Sequence, residues 1–213
     1  MKISSLNCRS LRKHHEDILT DALLLKSDLI ALQETWLPSD EGREDLKIPQ
    51  YDLHLNSYGK GKGIATYYNK DIFKHKVDIK KEHMQLSMFT SSTLDVIVLY
   101  RSQQGSYQEM NNHIKEMETI DKPQLVIGDF NFCYLDKTFN PTKHFLAQQN
   151  FSQLIKEPTH IEGHLLDQAH LRDMDGNLEI NTEIQSKYFT DHKGLAIIAK
   201  QGMLMNFFFK FIM

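Results

Sequence analysis

Three short strings of this chain carry ionisable side chains at points where apolar, strand-like runs end. They are Gly128-Asp129-Phe130-Asn131, Thr190-Asp191-His192 and Gln33-Glu34-Thr35-Trp36. Carboxylates, an amide and an imidazole that meet at the ends of buried strands suit the hydrolysis of a phosphate ester with a divalent metal ion. Packing alone does not explain three acidic strand ends in one small chain.

The first string places Asp129 and Asn131 on either side of Phe130. Because side chains alternate along a strand, the two polar groups are expected to point the same way while Phe130 enters the core. Asp129 can accept a proton from an attacking water, and Asn131 can orient that water or the phosphate. The alternative is an Asx-rich turn after a strand, which is common in its own right.

Asp191 and His192 precede another apolar run. A histidine held near a phosphate can donate a hydrogen bond to the developing negative charge. Such a histidine needs a carboxylate on its other ring nitrogen, and Asp167 is the candidate partner. The alternative is that His192 is a surface residue, one of 11 histidines in the chain. Most of the others are interpreted in that way, including His14, His15, His75 and His144.

Residues at the ends of other predicted strands could lie at the same edge of the folded sheets. Glu34 follows the buried run Leu29–Leu32, and a carboxylate there is a natural ligand for Mg²⁺ or Mn²⁺, which prefer oxygen. Asn7 ends the first strand-like run, and Tyr100 and Arg101 end another. A tyrosine hydroxyl and a guanidinium donate well to phosphate. The alternatives are a loop glutamate, an asparagine turn and a tyrosine at a sheet edge.

A lysine-rich segment, residues 59–82, is the candidate surface for nucleic acid. It holds seven lysines against three acidic residues, although the whole chain carries a net charge of −3. Lys60 and Lys62, in a glycine-rich turn, could bind the phosphate backbone of DNA. The alternative is a solvated hairpin surface.

Hydrophobic periodicity predicts a chain of strands interrupted by about three helices. The predicted strands are Lys2–Cys8, Asp28–Gln33, Tyr51–Ser57, Ile64–Asn69, Gln85–Thr90, Leu94–Tyr100, Leu125–Ile127, His164–Leu171, Leu178–Ile184 and Leu195–Ala199. The predicted helices cover 13–26, 106–120 and 142–149. This order favours one α/β domain over residues 1–200, with a two-sheet core and helices outside.

The composition is that of a soluble globular protein, with 40% hydrophobic and 25% charged residues in 213. Cys8 and Cys133 have no metal-site spacing and are expected to be reduced thiols of an intracellular protein. No signal peptide or membrane-length run is apparent, so we expect no membrane partner. Residues 201–213 form an apolar tail of unknown role: an edge strand, a partner-binding segment or sequence past a truncated reading frame.

The order of these strings along the chain resembles the endonuclease/exonuclease/phosphatase superfamily, from residue 2 to about residue 200. The matching strings, in chain order, are Asn7, Gln33-Glu34-Thr35-Trp36, Tyr100-Arg101, Gly128-Asp129-Phe130-Asn131, Pro158-Thr159, Leu166-Asp167 and Thr190-Asp191-His192. Four stretches resemble the endonuclease domains of mobile elements, namely non-LTR retrotransposons and especially Helentron-type rolling-circle transposons: Leu6–Arg12, Leu32–Leu37, Gly61–Tyr67 and Glu157–Gly163.

The resemblance implies a four-layered α/β/β/α sandwich, that is, two mixed sheets flanked by helices. It also implies one or two Mg²⁺ ions and the hydrolysis of a phosphodiester. The roles carried over by motif are metal binding for Glu34, Asn7 and Asp191; activation and positioning of water for Asp129 and Asn131; phosphate contact for Tyr100 and Thr159; and transition-state stabilisation for His192, paired with Asp167.

The leading hypothesis is an Mg-dependent endonuclease that nicks target DNA for a mobile element. It implies a nuclear location and association with helicase or polymerase domains of the same element. Arg9 stands where abasic-site repair members of the superfamily carry an aspartate, which argues against a repair role. Two alternatives stay open: an inactive or domesticated copy that binds nucleic acid or a partner, and a phosphatase acting on a phosphoinositide or phospholipid.

Overall fold

The computed structural model describes residues 1–40 and 43–202, and these residues form two six-stranded sheets. In chain order the strands are β1 (Lys2–Asn7), β2 (Leu29–Gln33), β3 (Asp52–Asn56), β4 (Ile64–Tyr68), β5 (Lys74–Lys81), β6 (Met84–Thr90), β7 (Asp95–Arg101), β8 (Gln124–Asp129), β9 (Ser152–Gln153), β10 (Asp167–Arg172), β11 (Leu178–Gln185) and β12 (Gly194–Gln201). One sheet has the order β11-β12-β1-β2-β4-β3 and the other the order β5-β6-β7-β8-β10-β9. Each sheet mixes parallel and antiparallel neighbours.

Helices cover the outer faces of the two sheets. They are α1 (Leu11–Thr20), α2 (Tyr107–Glu116) and α3 (Pro141–Gln148), with a short 3-10 turn at Glu44–Leu46. Ile18 of α1 packs in one outer cluster with Leu32 of the first sheet, and Ile114 of α2 packs in another with Leu99 of the second. A third apolar cluster fills the space between the sheets. The predicted α/β/β/α sandwich is therefore confirmed.

Side chains alternate along each strand, so residues that face the space between the sheets recur up to the strand ends. At one edge of the sandwich, here called the rim, these strand ends lie together. Ile3 of β1 packs between the sheets, so Asn7, four residues further on, shares that face. By the same alternation Tyr100 and Asp129, at the ends of β7 and β8, continue the inner face of the second sheet. The inner core is apolar along the strands and becomes polar where they end.

Several elements differ from their predicted form: the first helix is shorter, and β5 and the two-residue β9 were not predicted. The first predicted helix ends at Thr20 because the side chain of Asp21 accepts hydrogen bonds from the backbone N–H groups of Leu23 and Leu24, which stops the helix. β5 was not predicted as a strand, because its lysines interrupt the apolar alternation. It is an edge strand, where exposed lysines hinder pairing with another chain.

The last strand of the described chain, β12, ends close to the predicted domain boundary at residue 200. β12 continues to Gln201, and the backbone N–H of Gly202 still bonds the carbonyl of Asn177 at 2.8 Å. The remainder of the predicted apolar tail, 203–213, lies outside the described residues. No helix in the described part of the chain is long and apolar enough to cross a membrane.

Candidate active site

Strand pairing brings Tyr100, Asp129 and Asp167 side by side at the rim. β7 and β8 run parallel with Tyr100 opposite Asp129, and the antiparallel β10 begins at the same rim with Asp167 opposite Asp129. All three side chains are buried. From the other sheet, Nδ2 of Asn7 donates a hydrogen bond to Oδ2 of Asp129 at 2.8 Å. This contact joins the two sheets at the candidate site.

Gly128 permits the close approach that sets Asp129 beside Tyr100. Its φ is +146°, and a Cβ on this residue would lie 1.9 Å from the carbonyl oxygen of Leu99. Only glycine fits between the strands here. After Asp129 the strand ends, and Asn131 adopts a left-handed φ of 51°. The side chains of Asp129 and Asn131 therefore meet through a turn and not through the strand alternation predicted from the sequence.

Asp129 is held by three hydrogen bonds. Besides the bond from Asn7, the backbone N–H of Asn131 donates to Oδ1 at 2.9 Å, and Nδ2 of Asn131 lies 3.2 Å from Oδ2. Burial, and then the charge of the neighbouring Asp167, raises the pKa of Asp129 to about 7. A carboxylate with a pKa near neutrality is suited to take a proton from a water molecule. Phe130, between the two polar residues, is fully buried as predicted.

His192 contacts the carboxylate that the sequence suggested as its partner. Its Nδ1 lies 2.8 Å from Oδ2 of Asp167. Burial alone would lower the pKa of His192, but Asp167, and then Asp129 and Asp191, raise it to about 9. The imidazole is therefore a cation at neutral pH, and its Nε2 can donate to a phosphate oxygen. The catalytic roles of His192 and Asp167 stay predictions.

Thr159 holds Asp167 in place. The Thr159 hydroxyl accepts hydrogen bonds from the backbone N–H groups of Leu166 at 3.1 Å and Asp167 at 2.9 Å, and the side chain is fully buried. Thr159 is not among the residues that line the cleft described below. This placement gives Thr159 a positioning role for Asp167, and the predicted contact of Thr159 with phosphate stays a prediction.

Arg101 is also turned inward. Only 2% of the residue is exposed, and its guanidinium donates to the carbonyls of Gly105 at 3.1 Å and Phe130 at 2.9 Å and stacks over the ring of Tyr107. The carbonyl of Arg101 accepts from Nδ2 of Asn131 at 2.9 Å. The predicted contact of Arg101 with phosphate or DNA is therefore corrected: the guanidinium braces the turn that presents Asn131.

The oxygen atoms at the rim fit a hard divalent cation. Glu34 and Asp191 face one cleft, and the amide oxygen of Asn7 lies deeper, where it accepts from the backbone N–H of Arg9. Oδ1 of Asp191 and Oδ1 of Asp167 are both buried without a hydrogen-bond partner. Buried carboxylate oxygens without a donor are satisfied by a cation, and carboxylate and amide oxygens are the ligands that Mg²⁺ and Mn²⁺ take. The donor set therefore agrees with the expected metal.

These groups open onto a cleft of about 560 Å³. Its walls include Glu34, Asn131, Asp191 and His192. An adjoining recess of about 380 Å³ shares Glu34 and Asn131 and adds Tyr100. The cleft thus brings together residues from both halves of the chain and from six separate parts of the sequence.

The glycine-rich turn reaches the edge of this cleft. The hydroxyl of Tyr100 donates to the carbonyl of Gly61 at 2.8 Å. Lys62 lines the recess, and its ammonium lies 3.5 Å from the carboxylate of Glu82. Lys60 is exposed on the same turn. The two lysines predicted to bind DNA therefore belong to a turn that is anchored next to Glu34.

Several residues of the cleft wall had no predicted role there, among them Arg9, Gln103 and His160. The guanidinium of Arg9 forms an ion pair with Asp191, and Nε2 of His160 lies 3.4 Å from the same carboxylate. His160 directly follows Thr159, so the string that marked Thr159 could have indicated it. Gln103 follows the end of β7 in a loop, and its sequence context contains no motif.

Comparison with known proteins supports the architecture. Residues 4–171 match the model of the Endonuclease/Exonuclease/phosphatase family. No curated protein matches the sequence.

Three solved structures illustrate the likeness of the fold. A 3′ phosphatase from Neisseria bound to a product DNA hairpin has a TM-score of 0.70 at 16% identity, covering 95% of this chain and 99% of that one. An AP endonuclease from Archaeoglobus fulgidus has a TM-score of 0.69 at 14% identity, covering 93% and 98%. The endonuclease domain of TRAS1, a telomere-specific non-LTR retrotransposon, has a TM-score of 0.68 at 13% identity, covering 92% and 96%.

Proposed function

Because the chain belongs to the endonuclease/exonuclease/phosphatase family, we propose that it is a divalent-metal-dependent DNA endonuclease that nicks the target DNA of a mobile element. The observation that carries the proposal is the meeting of two polar pairs at one rim. Asp129 is bonded to Asn131, and His192 is bonded to Asp167. Asn131 and His192 line a cleft that also exposes Glu34 and Asp191, and the two aspartates lie buried behind them.

The two pairs have complementary tasks in the hydrolysis of a phosphodiester. Asp129 accepts the proton of the attacking water, whose oxygen forms the new bond to phosphorus while the bond to the leaving oxygen breaks. Asn131 orients the water and the phosphate, and the His192 cation donates a hydrogen bond to the phosphoryl oxygen as its charge grows. A Mg²⁺ or Mn²⁺ ion held by Glu34 and Asp191, with Asn7 nearby, would supply charge neutralisation and favour hydroxide at neutral pH.

DNA is the substrate that the surroundings of the cleft favour. Lys62 lines the recess beside Glu34, and Lys60 is exposed on the same turn, so both can approach the phosphates that flank the scissile bond. One of the similar structures is a 3′ phosphatase bound to a product DNA hairpin, and another is the endonuclease domain of a telomere-specific non-LTR retrotransposon. The proposal extends to a nuclear location and to helicase or polymerase domains of the same element as partners.

Nicking of supercoiled plasmid tests the proposal. We expect conversion to the open circle with Mg²⁺, none with EDTA, and a loss of activity in Asp129→Asn, which keeps the size of the side chain and removes the base. Asp136→Asn, at an exposed carboxylate on the cleft wall, is the matched control and should nick like the parent chain.

The negative outcomes separate the alternatives. A folded protein that binds DNA but does not nick it under any metal condition supports an inactive binding copy. Release of phosphate from a phospholipid headgroup or phosphoinositide without nicking supports a phosphatase. Nicking that is the same in Asp129→Asn overturns the assignment of the base.

A further inference from the structure

A second cluster of metal-binding side chains lies outside the cleft, between the edges of the two sheets. His54 is on β3, the edge strand of the first sheet, and His75 and Asp78 are on β5, the edge strand of the second. Nε2 of His54 lies 2.8 Å from Oδ2 of Asp78, and Nε2 of His75 lies 3.0 Å from Oδ1. One carboxylate is thus approached by two imidazole nitrogens that come from different sheets.

A bulge in β5 brings His75 and Asp78 to the same face. Residues three apart on a regular strand point to opposite faces. Between His75 and Val77 the pairing with β6 shifts in register, so that Lys76 is an extra residue. As a result His75 and Asp78 are both half-buried, whereas Lys76 and Val77 are exposed. Bulges of this kind re-aim side chains, and here the bulge directs both groups toward His54.

The two imidazoles are held by ring packing. Their centroids lie 3.7 Å apart at an interplanar angle of 22°, and both rings contact the edge or face of Phe89, at 5.8 Å for His54 and 5.4 Å for His75. The side chains of the cluster remain 21–27% exposed. The cluster is therefore ordered on its inner side and open to solvent on its outer side.

We propose that His54, His75 and Asp78 bind a transition-metal ion of the Zn²⁺ type, which links the edge strands of the two sheets. Each residue offers one ligand atom, and these atoms lie within 4.8 Å of one another. In a tetrahedral zinc site the ligand atoms lie about 3.3 Å apart. The two nitrogen–oxygen separations of 2.8 and 3.0 Å need only small side-chain rotations to reach it.

Two imidazoles favour a transition metal at this cluster, because imidazole nitrogen prefers Zn²⁺, Co²⁺ or Ni²⁺ over Mg²⁺ and Ca²⁺. The cleft holds a group of the same type, His160, Asp191 and His192, so variants at His54 and His75 are needed to tell the two sites apart. Three protein ligands leave a fourth position for water on the exposed side. The lysines of β5 are at exposed positions, where water and salt screen their repulsion of a bound cation.

Metal titration of the purified full chain tests the proposal. Zn²⁺ binding is measured by calorimetry, and Co²⁺ binding by its visible absorption, both in excess Mg²⁺. We expect a saturable site in the parent chain that is weakened at least tenfold in His54→Asn and in His75→Asn, whereas any binding at His160, Asp191 and His192 of the cleft is the same in these variants. His113→Asn is the matched control, because His113 also pairs with a carboxylate three residues away, at 2.9 Å, and should bind like the parent.

A structural link should also appear as thermal stabilisation. At a free Zn²⁺ concentration about a hundred times Kd, we expect Tm to rise by roughly 5–10 °C in the parent chain and not in the two histidine variants. If His54→Asn does not fold, His75→Asn, on the more exposed strand, decides the question. Zn²⁺ binding that is unchanged in the histidine variants, or a parent chain that shows no saturable site of this kind, overturns the proposal. Plasmid nicking does not enter this test, so its failure and that of the proposed activity are distinguishable.

Discussion

Asp129 and Asp167 stand opposite each other on neighbouring antiparallel strands, and both side chains are almost completely buried. The cation of His192 lies beside them, with one atom of each residue within 4.8 Å of the others. The two carboxylates have different hydrogen-bond partners. Asp167 contacts the imidazole of His192, and Asp129 contacts Asn7 and Asn131. Two adjacent carboxylates in different surroundings can take different tasks, and the proposed function assigns the orientation of His192 to Asp167 and the activation of water to Asp129.

Removing the charge of Asp167 should damage catalysis more than DNA binding. In Asp167→Asn the side chain keeps its size, but His192 loses the carboxylate that orients it and raises its pKa. We expect kcat for nicking to fall by about two to four orders of magnitude, with little change in KM, because the contact of His192 is strongest in the transition state. Single-turnover nicking and a DNA-binding isotherm measure the two effects.

A control and a contrary outcome sharpen this test. Asp136→Asn, at an exposed carboxylate of the same cleft, should leave kcat near that of the parent chain. An Asp167→Asn variant that loses DNA affinity in proportion to its loss of rate would show that Asp167 serves binding and not the orientation of His192.

The charge of Glu34 should be needed for Mg²⁺ to activate the nicking of DNA. Glu34 lines both the cleft and the adjoining recess, and its Oε2 accepts only a long bond of 3.3 Å from the indole of Trp36 among the hydrogen bonds described. Glu34→Gln should lower Mg²⁺-dependent nicking by about two orders of magnitude or more, since several kcal/mol of charge stabilisation is lost. The measurement is the rate of nicking against Mg²⁺ concentration.

Glu82 provides the matched control for Glu34. It is an exposed acid of the same recess and pairs with Lys62. Glu82→Gln should keep the Mg²⁺ response. Equal losses in the two variants would indicate a general electrostatic effect, and an unchanged Glu34→Gln would remove Glu34 from the site.

A substitution of Arg101 distinguishes a role in bracing the turn of Asn131 from a direct contact with phosphate. Its guanidinium donates to carbonyls of the turn that carries Asn131. Arg101→Gln should lower kcat and cost about 2–3 kcal/mol of unfolding free energy, because buried carbonyls lose their donors. The dependence of DNA affinity on salt should not change. If Arg101 contacted phosphate, the slope of log affinity against log salt would fall by about one instead.

The sequence predicted the fold because apolar runs and their alternation mark the strands. It predicted which candidate site residues come together because most of them lie where those strands end. Apolar runs that end at Glu34 or Asp129, or that follow Asp191 and His192, are visible as local patterns, and alternation along a strand fixes which face each residue takes. The partnership of His192 and Asp167 also follows from chemistry, since an imidazole with a catalytic role needs an orienting carboxylate.

What the sequence could not reveal is the direction of a side chain that leaves the regular strand. Arg101 ends a strand beside Tyr100, but its guanidinium turns toward the carbonyls of a distant turn. Thr159 is enclosed by its bonds to the start of β10. His75 reaches Asp78 only through a bulge, which alternation does not predict. For Arg101 and Thr159 a contact between separate parts of the chain overrides the local pattern, and for His75 an irregularity of the strand does so.

His170 should make the fold sensitive to acid. It lies on β10 with Nε2 against Oε1 of Gln168 at 2.9 Å, and its ring packs on Phe130 and Tyr134. Burial alone lowers the pKa of His170 to about 3. An ordinary histidine in the unfolded chain has a pKa of about 6.5. Below pH 6.5, His170 therefore binds a proton in the unfolded state but stays neutral in the folded state.

The sign of the effect follows from this difference in proton binding. The contribution of neutral His170 to stability is complete above about pH 6.5 and declines by about 1.4 kcal/mol per pH unit as the pH falls toward 3. His170→Gln keeps a donor for Gln168 and removes the titration, so its unfolding free energy should decline less between pH 7 and pH 5 than that of the parent. Urea unfolding at the two pH values measures the change, and His144→Gln, at an exposed position, controls for the loss of one imidazole. Equal pH slopes in the parent and in His170→Gln would mean that acid reaches the fold through other groups.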